Sequence, residues 1–444
     1  MRLLLSVLVV ISVLAGRTAN AESLDLLTAY KKATEYDAKV KAARADNKMF
    51  KEEIIKAKSQ LLPNARISAS RGRNATEFKR FGVVQSVDFY NTVSLGVSVR
   101  QPILNLTSVE TYKLARHNSE KSDLDLKREE LSLMVRVAEA YCNVLFADDT
   151  HAFSQAMIEA TDEQLRQARM RYKRGFGTVP DVEEAKAAYD NAVAEGIDIK
   201  NNRDYTRFQL QDLTGIYPDT VLHFPLSGFA LQQPDPVSVD VWIERALAKN
   251  TGVLAARQDV MIAKGEITKQ RVARYPTIDL VAGRNYSESE NNYSIGSIYD
   301  TYSIALQLSV PTYTGGYISA SVRQAQAKWL RAGEQLTLQE REIESEVRKY
   351  FNGVNSNIAQ IKAFEQAVKS RELALTGMEK GYEAGFRSNL EVLDAQQKLF
   401  ASRRNLAKAR YQYILNRLML KQIAGELYNA DIEEVNSWLF RARS

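Results

Sequence analysis

Residues 382–395 read YEAGFRSNLEVLDA, and an earlier stretch, residues 172–185, reads YKRGFGTVPDVEEA. The two stretches share a tyrosine, a Gly-Phe pair, an acidic residue before valine and an alanine, each 210 positions apart. In both, the glycine follows a long run of helix-forming residues, which predicts the end of a helix with the glycine in a left-handed conformation. The two stretches therefore predict equivalent turns between helices in a chain with an internal repeat.

The repeat continues on both sides of these turns. Matching residues recur in the same order at offsets of 209 to 213: Arg207 and Arg417, Leu210 and Leu420, Gly215 and Gly425, Pro63 and Pro276, and Pro102 and Pro311. This period is far longer than the roughly 20 to 50 residues of solenoid repeats, so the pattern predicts a duplicated domain. We predict a first repeat over residues 22–215, a proline-rich linker over 216–239, a second repeat over 240–425 and a short tail over 426–444.

Long helices are predicted between the prolines. Glycine and proline are both absent from residues 107–174, and good helix formers dominate that stretch. A helix of this length would measure about 100 Å. Apolar side chains recur at spacings of three and four, as expected for one buried face. They are Leu131, Val135, Ala138, Cys142 and Leu145 in the first half, and Ile343, Val347, Tyr350, Val354, Ile358 and Ile361 in the second.

Two short regions change to an alternating pattern of apolar and polar residues. We predict strands at about residues 64–76, 87–101, 277–287 and 299–310, with a polar loop inside each pair. Strands of about 10 residues can cross a membrane at a tilt. Two hairpins cannot close a barrel, which needs about eight strands, so a membrane barrel would require several chains. A soluble sheet with one buried face is the alternative.

The N-terminus has the three parts of a secretory signal peptide: Arg2, an apolar run over residues 3–15, and Ala19-Asn20-Ala21. We therefore predict export and cleavage after residue 21. The formal net charge of +6 is a mild excess, which argues against a nucleic-acid-binding protein. The single cysteine, Cys142, cannot form an internal disulfide, so stability must come from packing or oligomerisation.

The signal peptide, the tandem halves, the strand pairs between prolines and the Y-x-x-G-F turns together resemble the TolC family over essentially the whole mature chain. Residues 382–395 are similar to the family's second turn at the periplasmic tip, and residues 171–182 to the first. The resemblance implies a mainly α-helical homotrimer in which each chain gives four strands to one 12-stranded membrane β-barrel. A long α-helical barrel would continue this β-barrel into the periplasm.

The family also implies a function and partners. Its members are passive exit ducts in the outer membrane of Gram-negative bacteria, surrounded by outer-membrane lipid. They are recruited by a periplasmic adaptor and an inner-membrane ABC or other transporter, and they carry exported protein or small molecules. No cofactor is implied.

Residues at the tip are assigned by motif position. Tyr382 and Arg387 match the family's periplasmic gate, and Asp181 matches their partner on the first turn. Pro180 stands where the best-known pattern has a hydroxyl residue, which leaves the partner of Arg387 open.

Two further sets of residues match the family pattern. Glu391 and Asp394 match an acidic selectivity ring, although ordinary surface ion pairs, such as one between Asp394 and Lys398, are an alternative. The adaptor-docking tip would comprise Gly175, Phe176, Gly385 and Phe386. Burial of each phenylalanine inside its turn is the alternative to docking.

Nothing in the sequence supports catalysis. The three histidines lack metal-ligand spacing, and there is no P-loop, H-E-x-x-H or G-x-S-x-G motif. We therefore expect neither an enzyme nor a metal site. Type I protein secretion is favoured over multidrug efflux, because no cysteine stands where a lipoprotein would be acylated. A periplasmic coiled coil without a channel is a distant alternative that leaves the strand pairs unexplained.

Overall fold

The computed structural model describes residues 24–224, 231–291 and 296–440, so the predicted signal peptide lies outside the described residues. Nine helices and four strands occupy this part of the chain. The first half contains α1 (Leu26–Tyr36), α2 (Ala38–Ser59), β1 (Asn64–Arg80), β2 (Val83–Leu104), α3 (Leu106–Lys173) and α4 (Val179–Thr214). The second half contains α5 (Val239–Lys249), α6 (Thr251–Val272), β3 (Thr277–Ser289), β4 (Ser297–Ser309), α7 (Tyr317–Glu383) and α8 (Asn389–Ile423), followed by α9 (Asn429–Phe440).

The two halves have the same element order and nearly the same element lengths. Their first four helices have 11, 22, 68 and 36 residues in the first half and 11, 22, 67 and 35 in the second. The glycines and prolines therefore recur because helix ends recur. The limits assigned to the two repeats remain a prediction.

The described residues form two compact units, and each takes chain from both halves. Residues 43–126 and 251–340 form one unit, which contains all four strands and is called the sheet unit below. The remaining described residues form the other, the helical unit. Helices α3 and α7 contribute residues to both.

The helical unit is built around the predicted apolar stripe of α3. The five stripe residues from Leu131 to Leu145 are all buried, and of the six predicted in α7 only Tyr350 is partly exposed. Burying such a side chain contributes roughly 1.5–3 kcal/mol. Burial also raises the pKa of the Cys142 thiol to about 12. Among the described helices, none has an apolar run long enough to cross a membrane.

The linker after α4 is fixed to the helices by hydrogen bonds to its backbone. The Tyr141 hydroxyl donates to the Leu222 carbonyl at 2.9 Å, and Arg207 Nη1 donates to the Asp219 carbonyl at 3.1 Å. The Tyr413 hydroxyl donates to the Gln232 carbonyl at 3.0 Å. Because buried carbonyls need partners, these side chains determine the path of the linker.

His223 lies in the same linker between two carboxylates of α3. Its Nε2 is 3.7 Å from Asp148 Oδ2, and its Nδ1 is 3.6 Å from Asp149 Oδ1. These carboxylates raise the pKa of His223 to about 9. Burial raises the pKa of Asp148, but His223, Arg203 and Arg207 together outweigh it and hold that pKa well below its usual range. The imidazolium form of His223 therefore contributes to holding the linker.

The four strands form one antiparallel sheet in the order β1-β2-β3-β4. Strands β1 and β2 continue through the region predicted as a polar loop and close on the two-residue turn Phe81-Gly82, with φ of 51° and 80°. Positive φ at both positions gives a turn whose twist matches the strands. The loop prediction was wrong here because backbone pairing extends the hairpin regardless of side-chain polarity. Strands β3 and β4 end close to the predicted positions.

The sheet has two contrasting faces. Residues paired directly across antiparallel strands share a face, so the register assigns each side chain. The apolar face carries Ile67, Ala69, Leu95, Val97, Val99, Leu280, Ala282, Ile304 and Leu306. The polar face carries Ser68, Ser70, Ser94, Ser98, Asn285, Thr301 and Ser303. Ile304 is 75% exposed in the single chain, so the apolar face needs a cover that the chain itself does not supply.

Candidate functional site

The two Y-x-x-G-F turns follow α3 and α7 and have the same backbone geometry. Gly175 and Gly385 have φ of 78° and 77°, which confirms the predicted left-handed conformation. In the first turn the amide of Phe176 donates to the Arg171 carbonyl at 3.0 Å, and in the second the amide of Phe386 donates to the Gly381 carbonyl at 2.8 Å. This six-to-one bond satisfies a carbonyl at the end of each helix.

The next helix on each side begins with a capping box. In the first turn Asp181 Oδ2 accepts from the amide and hydroxyl of Thr178, at 2.9 and 2.7 Å. In the second, Glu391 Oε2 accepts from the amide of Ser388 at 2.8 Å. Hydrogen bonds from Thr178 and Ser388 lower the pKa of Asp181 and Glu391 respectively. Two predicted site residues thus also have a local role that the T-x-x-D and S-x-x-E spacing could have revealed.

The phenylalanine of each turn points into solvent. Phe176 is 82% exposed and Phe386 is 87% exposed. The alternative of burial inside the turn is therefore excluded within the single chain. A large exposed aromatic ring at each of these matching positions is suited to contact with another protein.

Tyr382 is nearly buried, and its neighbour is Arg171, for which the sequence predicted no role. The Arg171 guanidinium carbon lies 4.5 Å from the centre of the Tyr382 ring. Arg171 Nη1 also donates to the Tyr382 carbonyl at 3.2 Å. A cation over an aromatic face and a charged donor on a carbonyl are both attractive. This pair of contacts joins the end of α3 to the end of α7.

Arg387 is half-exposed and pairs within its own turn. Its Nη1 lies 2.8 Å from Glu391 Oε1, four residues further along the chain. Its side chain lies against Gly381, where a Cβ would come within 2.7 Å of Arg387 Cγ. Within the single chain the Arg387 guanidinium is thus paired with Glu391, and its partner across the two turns stays open.

The predicted acidic residues also have partners in the single chain. Asp394 pairs with Lys398, and Glu391 pairs with Arg387. The surface ion pairs considered as the alternative are thus present, although all four side chains are solvated and such pairs contribute little. Among the described residues, no hydrogen bond joins Asp181 to Tyr382. The gate and the acidic ring stay predictions about the assembled protein.

The described residues contain no group of His, Cys, Asp or Glu side chains arranged to hold a metal ion.

Comparison with known proteins gives a family for the whole chain. The family profile described as "Outer membrane efflux protein" matches residues 29–216 and 242–426. The chain is 30% identical to the outer membrane protein TolC of Escherichia coli K12, over 99% of this chain and 90% of that protein. It is also 30% identical to the alkaline protease secretion protein AprF of Pseudomonas aeruginosa, over 94% of this chain and 87% of AprF.

Solved structures show the same fold. The CmeC outer membrane channel of Campylobacter jejuni is similar with a TM-score of 0.80 at 16% identity, over 95% of this chain and 90% of CmeC. VceC of Vibrio cholerae is similar with a TM-score of 0.76 at 19% identity, over 90% of this chain and 96% of VceC.

Proposed function

Since the chain belongs to the outer membrane efflux protein family, we propose that it is a passive exit duct that carries cargo across the periplasm and the outer membrane. Its fold is that of the TolC-like channels. Several relatives are named as efflux or secretion proteins, which supports proposing a transport role rather than an enzyme.

The observation that carries the proposal is the two-faced sheet. A sheet with an apolar face, a polar face and two open edges, β1 and β4, is unstable in lipid, where every backbone group must be paired. Three copies joined edge to edge would make a closed barrel with the apolar face in lipid and the polar face around water. We propose this homotrimer, with an adaptor and an inner-membrane transporter as partners.

Protein secretion is the favoured cargo class. Two secretion proteins, AprF and the proteases secretion protein PrtF of Dickeya chrysanthemi, are 30% and 29% identical to the chain. The efflux protein BepC of Brucella suis is 25% identical, which keeps small-molecule efflux as the second candidate. Comparing the proteins and the small molecules released by cells with and without this protein would distinguish the two cargo classes.

We also propose that Tyr382, Arg387 and Asp181 on the two turns form the periplasmic gate, and that Tyr382 acts there through its contacts with Arg171 rather than through a hydroxyl bond to Asp181. The support for Arg171 is its double contact with Tyr382, which links the two turns. A cation–π contact is worth about 0.5–1 kcal/mol when exposed, and a hydrogen bond from a charged group about 1.5–3 kcal/mol. Losing both should favour the open state by about tenfold or more.

The test is planar-bilayer conductance of the purified, detergent-extracted protein, with its oligomeric mass. We expect a trimer with small currents, and larger currents for Arg171→Ala. Arg174→Ala is the matched control, because Arg174 lies in the same turn, is exposed and makes no side-chain hydrogen bond, ion pair or ring contact with the described residues. A protein that never inserts would contradict the duct. A conducting trimer in which Arg171→Ala and Arg174→Ala behave alike would contradict only the role of Arg171.

A further inference from the structure

The apolar face of the sheet ends in a polar rim that crosses the strands obliquely. Arg284 on β3 is the first polar residue beyond the apolar belt, and it pairs with Tyr302 on one side and Val97 on the other. On β1 the belt continues through Ala69, and the first polar residue is Arg71. A flat membrane surface would cut tilted strands along such an oblique line.

The carboxylates at this rim already have partners. Asp300 accepts two hydrogen bonds from Arg284, at 2.8 and 2.9 Å. Glu288 accepts from the Tyr286 hydroxyl at 3.0 Å. Glu290 accepts from the amide and the side chain of Asn91, at 2.8 and 3.0 Å.

Two cations remain. Arg71 and Arg73 are exposed, and within the described residues neither makes an ion pair or a side-chain hydrogen bond. The Glu290 carboxylate interacts with both guanidinium groups only by longer-range electrostatic attraction, without a hydrogen bond. Arg71 and Arg73 are two residues apart on β1, so they share the apolar face, about 7 Å apart along the strand. Because Tyr286 and Asn91 are neutral, Glu288 and Glu290 keep their negative charges, and what this rim leaves unused is the hydrogen-bonding capacity of the two guanidinium groups.

We propose that Arg71 and Arg73 bind the phosphate of a membrane lipid whose acyl chains cover the apolar belt. A guanidinium can donate two parallel hydrogen bonds to a phosphate, and its long stem can lie along apolar surface while the charge reaches the headgroup. On the same face, a shallow groove is lined by Ile67, Leu95, Val97, Tyr286 and the paired Arg284, and we assign its apolar part to an acyl chain. The inference rests on the outer-membrane location given above and adds a ligand site to it.

Arg66 provides a matched control. It lies on the same strand, is also exposed and has no ion-pair partner among the described residues. It pairs with Ser98, so it lies on the polar face. If the lipid is attracted by any exposed positive charge, replacing Arg66 should weaken its binding. If the lipid binds on the apolar face, replacing Arg66 should leave its affinity unchanged.

The experiment titrates the detergent-purified protein with dioleoyl phosphatidic acid, with dioleoylglycerol, which lacks the phosphate, or with inorganic phosphate. Bound lipid is counted by native mass spectrometry. We expect tight binding of phosphatidic acid only. The double variant Arg71→Gln/Arg73→Gln should bind it about 25-fold more weakly, or roughly fivefold for each charge. Arg66→Gln should bind as the unmodified protein does, and Arg71→Lys/Arg73→Lys should retain most of the affinity.

Several results would overturn the inference. Unchanged affinity in the glutamine double variant, or an equal loss in Arg66→Gln, would remove the site. Displacement of the lipid by inorganic phosphate would indicate a site for free anions instead. Dissociation of the oligomer in the double variant without lipid would indicate that the arginines pair with a second copy. Conductance measured on the same samples tests the duct separately: a protein that conducts but fails these binding tests contradicts only the lipid site.

Discussion

Arg171 joins the two turns by contacting Tyr382, 211 residues further along the chain, through the face of its ring and its backbone carbonyl rather than through the hydroxyl. The carboxylate matched to that hydroxyl by the family pattern, Asp181, caps its own helix. Contact through the ring and contact through the hydroxyl predict different consequences for a change at Tyr382.

We expect Tyr382→Phe to leave single-channel conductance close to that of the unmodified protein, because the ring and the carbonyl that Arg171 contacts are both kept. Tyr382→Ala should raise conductance as Arg171→Ala does, since the ring is lost. Planar-bilayer recordings under identical salt make the comparison. A large increase for Tyr382→Phe alone would instead favour a hydroxyl bond to Asp181 in the assembled protein.

The pH dependence of the linker is a second expectation for single residues. The pKa of His223 is raised to about 9 from an ordinary value of 6.5, so its stabilising charge is present below pH 6.5 and is lost as pH rises through 9. Its side chain is 43% exposed, so after screening we expect a loss of only about 1 kcal/mol. This loss of linker stability is measured by hydrogen exchange of the linker amides, corrected for the intrinsic pH dependence of the exchange rates.

His223→Gln should remove most of this pH dependence. His117→Gln is the control, because His117 lies in the sheet unit beside Gln258, whereas the linker belongs to the helical unit. Equal pH dependence in the two variants would show that His223 does not hold the linker.

For individual residues, the sequence predicts local backbone geometry better than it predicts long-range contacts. The left-handed glycines at 175 and 385 follow from a pattern within a few residues, and they are confirmed. The capping roles of Asp181 and Glu391 were equally local and could have been predicted. The contact of Arg171 with Tyr382 depends on how α3 and α7 pack, which no local pattern specifies.

Helix ends determine the elements of this fold. Helix α3 runs from Leu106 to Lys173, and each of its ends lies one residue from the end of the predicted stretch, residues 107–174. The strands were harder to predict, because pairing carried β1 and β2 through polar residues to a two-residue turn. Glycine and proline constrain the backbone directly, whereas strand length depends on a partner that lies elsewhere in the chain.

The turn after α7 allows a matched test of its backbone. Gly385→Ala should destabilise the turn by about 1–2 kcal/mol, because an alanine pays that cost in the left-handed conformation. Gly377→Ala, within α7 at a position where a Cβ meets nothing within 4 Å, should stabilise the helix by roughly 0.5–1 kcal/mol. Hydrogen exchange of the amides around residues 383–390 should therefore speed up in the first variant alone. Equal exchange in both would exclude backbone strain as the determinant of this turn.

For the whole molecule, the two faces of the sheet predict which side meets water in the assembled protein. Ser303 and Ile304 are neighbours on β4 but lie on opposite faces. In intact outer membranes we expect Ser303→Cys to react with a charged, water-soluble maleimide and Ile304→Cys to resist it. The two variants differ by one position in the chain, so reactivity tests the barrel directly. Equal labelling of both would contradict a polar lumen.

Cys142 is buried and so should not compete with the introduced cysteines for the maleimide, and it has a further use. As the single cysteine it is buried at 1% exposure, with a thiol too weakly acidic to react when folded. An unfolded copy would expose an ordinary thiol. Pulse alkylation of newly exported chains should therefore report how fast α3 becomes buried, so the unmodified protein carries its own probe of maturation after secretion.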